Sequence, residues 1–215
     1  MSIKTIALDT CPADQAPVPA AGSLSGEDGL LAGGSRAVIE ALAAAAPETV
    51  LGLVVDTTGS TYSKLGGAIC ISGTRGRVGW ISGGCLESSL EQEAFALRDA
   101  GQAGFTEFDT RSDADLMFGT RIGCRGLVRI ALLPMAALPG VGEILGAWTR
   151  QAVDVEFEFA ASGEVRAAAG GLRRSWQLQV APGQLPMPEF RVRIPRAPRL
   201  LVFGAGPEAA LLLPW

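Results

Sequence analysis

The chain has 215 residues, 28 of them glycine and none histidine, and a formal net charge of −4. A chain of this length buries a sizeable core without a disulfide or metal staple, and the missing imidazole excludes Ser-His-Asp and Cys-His catalysis, His-bound zinc and a histidine pH switch. Basic and acidic residues divide 10 to 15 before Met135 and 8 to 7 from there on, so neither part has the cationic excess of a nucleic-acid or membrane-surface binder.

Mean hydropathy is +0.29, yet no apolar run approaches the roughly 20 residues that span a bilayer. Residues 1–11 lack an apolar stretch of signal-peptide length. The four cysteines, Cys11, Cys70, Cys85 and Cys124, stand far apart with no CxxC pair. A soluble, cytoplasmic chain with free thiols is expected.

Residues 10–29 are rich in Ala, Pro, Ser and Gly without apolar periodicity, so 1–29 is expected to be a flexible leader. A helix over Ser35–Ala46 follows, with Ser35 as N-cap and Val38, Ile39 and Leu42 as its apolar face. Val50–Val55 reads as a buried strand, and Ala68–Ile71 with Arg77–Ile81 as a hairpin. Leu86, Leu90, Ala94 and Leu97 form the stripe of an amphipathic helix over Leu86–Ala100, stopped by Gly101. Phe105–Asp109 and Leu127–Leu133 read as strands joined by a long glycine-containing loop. Beyond Pro134, a helix over Gly140–Gln151 leads to a one-sided strand with Val153, Val155, Phe157 and Phe159 on one face. Ser175–Val180 and Phe190–Ile194 extend a small antiparallel sheet, and Arg191, Arg193, Arg196 and Arg199 read as its solvated face. Arg199–Phe203 is a short apolar strand entering Gly204-Ala-Gly206.

Four motifs bear chemistry. Ser82-Gly-Gly-Cys85-Leu-Glu87 sits where a strand passes into the amphipathic helix; its glycines and the helix N-terminus suit an anion, and the location favours Cys85 as thiolate. The alternative is a small buried cysteine packed at a glycine turn. Gly119-Thr-Arg121-Ile-Gly123-Cys124-Arg125-Gly126 is a second cysteine set in glycines, with arginines suited to a phosphate or to nearby acids. The two cysteine loops are expected to converge on one cleft. Asp56-Thr-Thr-Gly59-Ser60-Thr-Tyr62-Ser-Lys64-Leu-Gly-Gly67 offers hydroxyls and a lysine, but no glycine precedes Lys64 and no Ser or Thr follows it, so it is not a Walker A loop. Gly204-x-Gly206-x-x-Ala209 opens a dinucleotide-binding pattern whose helix and ribose-binding acid are missing, so NAD(P) binding is not expected on this chain.

Taken in order, these motifs resemble the XdhC/CoxI family of molybdenum hydroxylase maturation factors, over Ser35–Pro134 and again over Pro198–Ala209. The resemblance implies an N-terminal α/β domain followed by a Rossmann domain; with the residue patterns above, the expected fold is α/β, with an N-terminal mixed α/β domain over 30–134, a linker with a small antiparallel sheet over 135–197, and the first strand of a Rossmann-like domain over 198–215. It implies binding of molybdenum cofactor (molybdopterin), protection of its sulfurated form and delivery to an apo-molybdenum hydroxylase of the xanthine dehydrogenase type. A cysteine desulfurase is a further implied partner, and an accessory role rather than catalysis is implied; the sequence leaves the oligomer open, a homodimer among its forms. Cys85 and Cys124 match the family's cysteine positions and are the candidate molybdenum ligands; Ser60, Lys64, Gly83, Gly84, Gly123 and Arg125 complete the candidate cofactor contacts. Arg125 stands where the family carries glycine, and Lys64 where it carries arginine, which keeps the charge but loses the planar fork. A thiol or persulfide sulfur carrier, a redox protein, and a truncated interaction domain are the competing readings.

Overall fold

The computed structural model describes residues 4–5, 35–74, 76–82, 84, 86–111, 125–184, 189–198, 203–204 and 206. The fold is mixed α/β, with three α-helices and two sheets among the described residues. The first sheet has six strands in the order β1 (Lys4–Thr5), β5 (Gly104–Asp109), β6 (Gly126–Pro134), β2 (Val50–Gly59), β3 (Ala68–Ser72) and β4 (Gly76–Val78). All neighbours are antiparallel except β1 and β5.

β2 and β6 are central, and their apolar runs are buried on both faces because both faces are covered. On one face lies α2 (Glu87–Asp99), whose Leu90, Ala94 and Leu97 pack with Val50, Val54, Ile130 and Leu132. On the other lie α1 (Ser35–Ala43), α3 (Val141–Gln151) and the second sheet, which share one apolar cluster with Leu51, Leu53, Ala131 and Leu133. The second sheet is wholly antiparallel, in the order β10 (Phe190–Ile194), β7 (Val155–Phe159), β8 (Glu164–Ala169), β9 (Leu172–Gln177).

Two devices tie the sheets together. Phe105 of β5 lies 5.8 Å, centroid to centroid, from both Phe159 and Phe190, which are themselves 6.4 Å apart. The segment after β9 then docks on β5: Ala103 N–H donates to the Gln179 carbonyl at 2.7 Å, and the buried Gln184 amide exchanges bonds of 2.7 and 3.1 Å with the backbone of Phe105. Gln184 thereby occupies the place of a pairing strand.

The expected elements are present with shifted ends. α1 stops at Ala43, three residues before the sequence-based end at Ala46, β2 runs on to Gly59, and the second hairpin strand is Gly76–Val78. β8 was not expected from the sequence, and β9 begins at Leu172 rather than Ser175. Arg191 and Arg193 of the arginine row lie on a solvated face as expected, Arg191 pairing with Glu158 at 2.6 Å and Arg193 with Asp154 at 2.9 Å, while Arg199 lies outside the described residues. Residues 199–202 of the expected last strand, and most of the leader, lie outside the described residues.

Candidate functional site

β2 ends at Gly59, and the antiparallel β6 begins opposite it at Gly126. β5 ends at the same edge, with Asp109 facing Leu127. α2 runs back along the sheet from this edge, since its last turn meets Gly104, at the far end of β5, through Leu97. The helix N-terminus and three strand ends are therefore together.

Close backbone approach defines the centre of this end. Ser60 N–H donates to the Arg125 carbonyl at 3.0 Å. A Cβ placed on Gly126 would collide with the Ser60 carbonyl, and one on Gly59, at φ +75°, would stand 2.6 Å from the Arg125 carbonyl. Only glycine admits that contact. Thr110 closes the third side, its N–H donating to the Gly126 carbonyl at 2.9 Å and its hydroxyl accepting the Gly126 N–H at 3.1 Å. Beside it, Arg111 forks onto Asp109 at 2.6 and 2.8 Å, and these hydrogen bonds hold the Asp109 carboxyl at a pKa of about 2. One row inward, Arg129 bridges Asp56 at 2.9 Å and Glu107 at 2.6 Å.

The loop after β2 folds back on its own strand. Gly66 N–H donates to the Val54 carbonyl at 3.0 Å and Val54 N–H to the Gly67 carbonyl at 2.8 Å. Within the loop, Lys64 Nζ donates to the Thr61 carbonyl at 2.7 Å while the residue stays exposed. The Ser63 hydroxyl reaches the Trp80 carbonyl at 3.2 Å, which joins this loop to the segment entering Ser82. Tyr62, Leu65 and Trp80 are exposed on these two segments, with the Arg77 guanidinium 4.5 Å above the Trp80 ring.

The turn into α2 is organised around Glu87, which is only 1% exposed. Its Oε1 accepts the N–H groups of Ile81 at 3.1 Å and Ser82 at 2.7 Å, and its Oε2 accepts the Ser82 hydroxyl at 2.5 Å. The Ser82 oxygen in turn accepts the N–H groups of Gly84 at 3.2 Å and Leu86 at 3.0 Å. Burial pushes the Glu87 pKa up, but the bonds from Ser82, its own amide and Ile81 outweigh that and hold it below its ordinary value.

Of the sequence-predicted residues, Ser60, Lys64 and Arg125 are exposed at this end, and Gly84 is half-buried at φ +108°. Gly83, Cys85, Gly123 and Cys124 lie outside the described residues, as does Cys11. Cys70 belongs to the core at 5% exposure. Among the described residues, no group of three or more metal-binding side chains is placed to hold an ion. The structure brings the first loop onto the strand that follows the second cysteine motif, through Ser60 and Arg125. Sequence reasoning quoted Ser82 and Glu87 without giving them a role: their five-residue separation is not the three-residue spacing of a capping box.

The fold and this end define a mixed α/β protein that gathers glycine loops at the edge of an antiparallel sheet. Residues 42–109 match the model of the XdhC and CoxI family, so the resemblance carried by the motifs holds. A curated relative from Bacillus subtilis (strain 168), named as a probable xanthine dehydrogenase subunit, is 28% identical over 194 residues, which is 82% of this chain and 58% of the relative. The crystal structure of a xanthine dehydrogenase from Bacillus halodurans superposes with a TM-score of 0.64 at 22% identity, covering 82% of this chain and 57% of that one. That likeness shows the fold. The chain spans under two thirds of the length of both.

Proposed function

We propose that the chain is an accessory protein that binds molybdenum cofactor and inserts it into a molybdenum hydroxylase of the xanthine dehydrogenase type. The observation that carries this reading is the family match over residues 42–109, which takes in both the Ser60–Gly67 loop and the Ser82–Glu87 turn. The name of the Bacillus subtilis relative supports the same system.

The described residues suit such a ligand in kind. An exposed hydroxyl, an ammonium and a guanidinium, those of Ser60, Lys64 and Arg125, stand at one end of the sheet, a donor set matched to an anionic phosphate-bearing molecule. Cys85 and Cys124 supply the soft sulfur donors that suit the metal. The bound cofactor supplies the redox-active molybdenum of the receiving hydroxylase; this chain's residues hold and shield it. In this reading a cysteine desulfurase provides sulfur, the apo-hydroxylase receives the product in the cytoplasm, and the carrier works as a homodimer. No helix among the described residues is long and apolar enough to cross a membrane.

The test is retention. After incubation with molybdenum cofactor and removal of free ligand, the chain is expected to keep pterin fluorescence and molybdenum. The Cys85→Ser, Cys124→Ser double variant is expected to lose at least about tenfold, the loss of one charge-assisted contact or more. Equal retention by the two proteins overturns the proposal, and persulfide on Cys85 or Cys124 without any retained pterin replaces it with a sulfur carrier.

A further inference from the structure

A glycine pair before a helix exposes consecutive amides beside the positive end of the helix dipole, an arrangement that takes up phosphate. Here the donors on the described residues of the turn are spent within the chain. The amides of Ile81 and Ser82 and the Ser82 hydroxyl go to the Glu87 carboxylate, and the amides of Gly84 and Leu86 go to the Ser82 oxygen. Glu87 lies in the first turn of α2 and is buried. We infer that Glu87 is the resident anion of this helix end and, acting through Ser82, the positioning residue of the turn between them.

Two consequences follow from charge and geometry. A phosphate brought to the described donors of the turn meets a buried carboxylate of like sign, so these donors are closed to the anionic part of any ligand. That part is left to the exposed cations of the neighbouring segments, Lys64 and Arg125. The Ser82–Glu87 turn contributes shape and its cysteine instead. The inference rests on hydrogen bonds within the chain and stands whether or not the ligand is molybdopterin, whose retention is measured separately.

Amide resonances of the full chain read both parts of the inference. Inorganic phosphate titrated to millimolar concentration is expected to leave the amides of residues 81–88 of the wild type unshifted. Glu87→Ala, which removes the charge and releases the amides of Ile81 and Ser82, is expected to show saturable phosphate shifts there. Ser82→Ala is expected to speed hydrogen exchange at Gly84 and Leu86 by at least about tenfold, with the amides of β2 and β6 unchanged, and Ser82→Thr to keep wild-type rates. Saturable phosphate shifts in the wild type, a Glu87→Ala variant blind to phosphate, or unaltered exchange in Ser82→Ala would each overturn the assignment. Should either alanine variant fail to fold, the wild-type titration decides.

Discussion

A buried carboxylate stays ionised only where hydrogen bonds replace the water it has lost. Glu87 meets that condition with two backbone amides and one hydroxyl beyond its own residue. Because its folded pKa lies below the ordinary 4.5, its contribution to stability is fully present above that value and is lost as pH falls through the lower folded value. Chemical denaturation followed from pH 7 down to acid is therefore expected to show a stability loss below pH 4.5 that is shallower in Glu87→Gln; identical slopes would remove Glu87 from the account. The sequence placed Glu87 in its motif but gave no reason to bury it. Its partners Ile81 and Ser82 stand only six and five residues before it, across a turn whose spacing matches no capping box.

At the level of elements, the contact between the end of β2 and the start of β6 sets the candidate site. Gly59 and Gly126 let the Ser60 and Arg125 backbones touch, where a side chain would force them apart. Gly126→Ala is expected to cost about 1–3 kcal/mol, the usual range for overpacking against a backbone that must shift, measured as a lower midpoint in urea with unchanged slope. A neutral substitution would mean the two segments are not held together. The sequence marked both glycines as loop residues and could not show that they face one another, because register between strands so far apart in the chain is a long-range property. The same limit explains the missed β8. Val165, Ala167 and Ala169 face the core while Glu164, Arg166 and Ala168 face out, but alanine on both faces blurs the period of two that announces a strand. α2 was legible because its leucines and alanine keep helical spacing and its flanking glycine supplies the stop.

Across the whole molecule, the second sheet buttresses the loops of the first. Gly66, at φ +82°, lies so close to the Arg193 carbonyl that a side chain there would clash, and one apolar cluster runs from α1 through β2 and β6 to β7 and β10. The two sheets are therefore expected to unfold together. Phe157→Ala, at a side chain with no exposed surface, is expected to cost about 3–5 kcal/mol and to lower the transition reported by Trp80 beside the site as much as that reported by Trp148 and Trp176 in the core. Separate transitions for these probes would divide the sheets into independent units.

Transfer is the most direct test of the central claim. The chain loaded with sulfurated molybdenum cofactor, mixed with a cofactor-free hydroxylase of the xanthine dehydrogenase type, is predicted to restore hydroxylase activity faster than the same amount of free cofactor, and the Cys85→Ser, Cys124→Ser variant to give no gain. Activation no faster than by free cofactor would contradict the account.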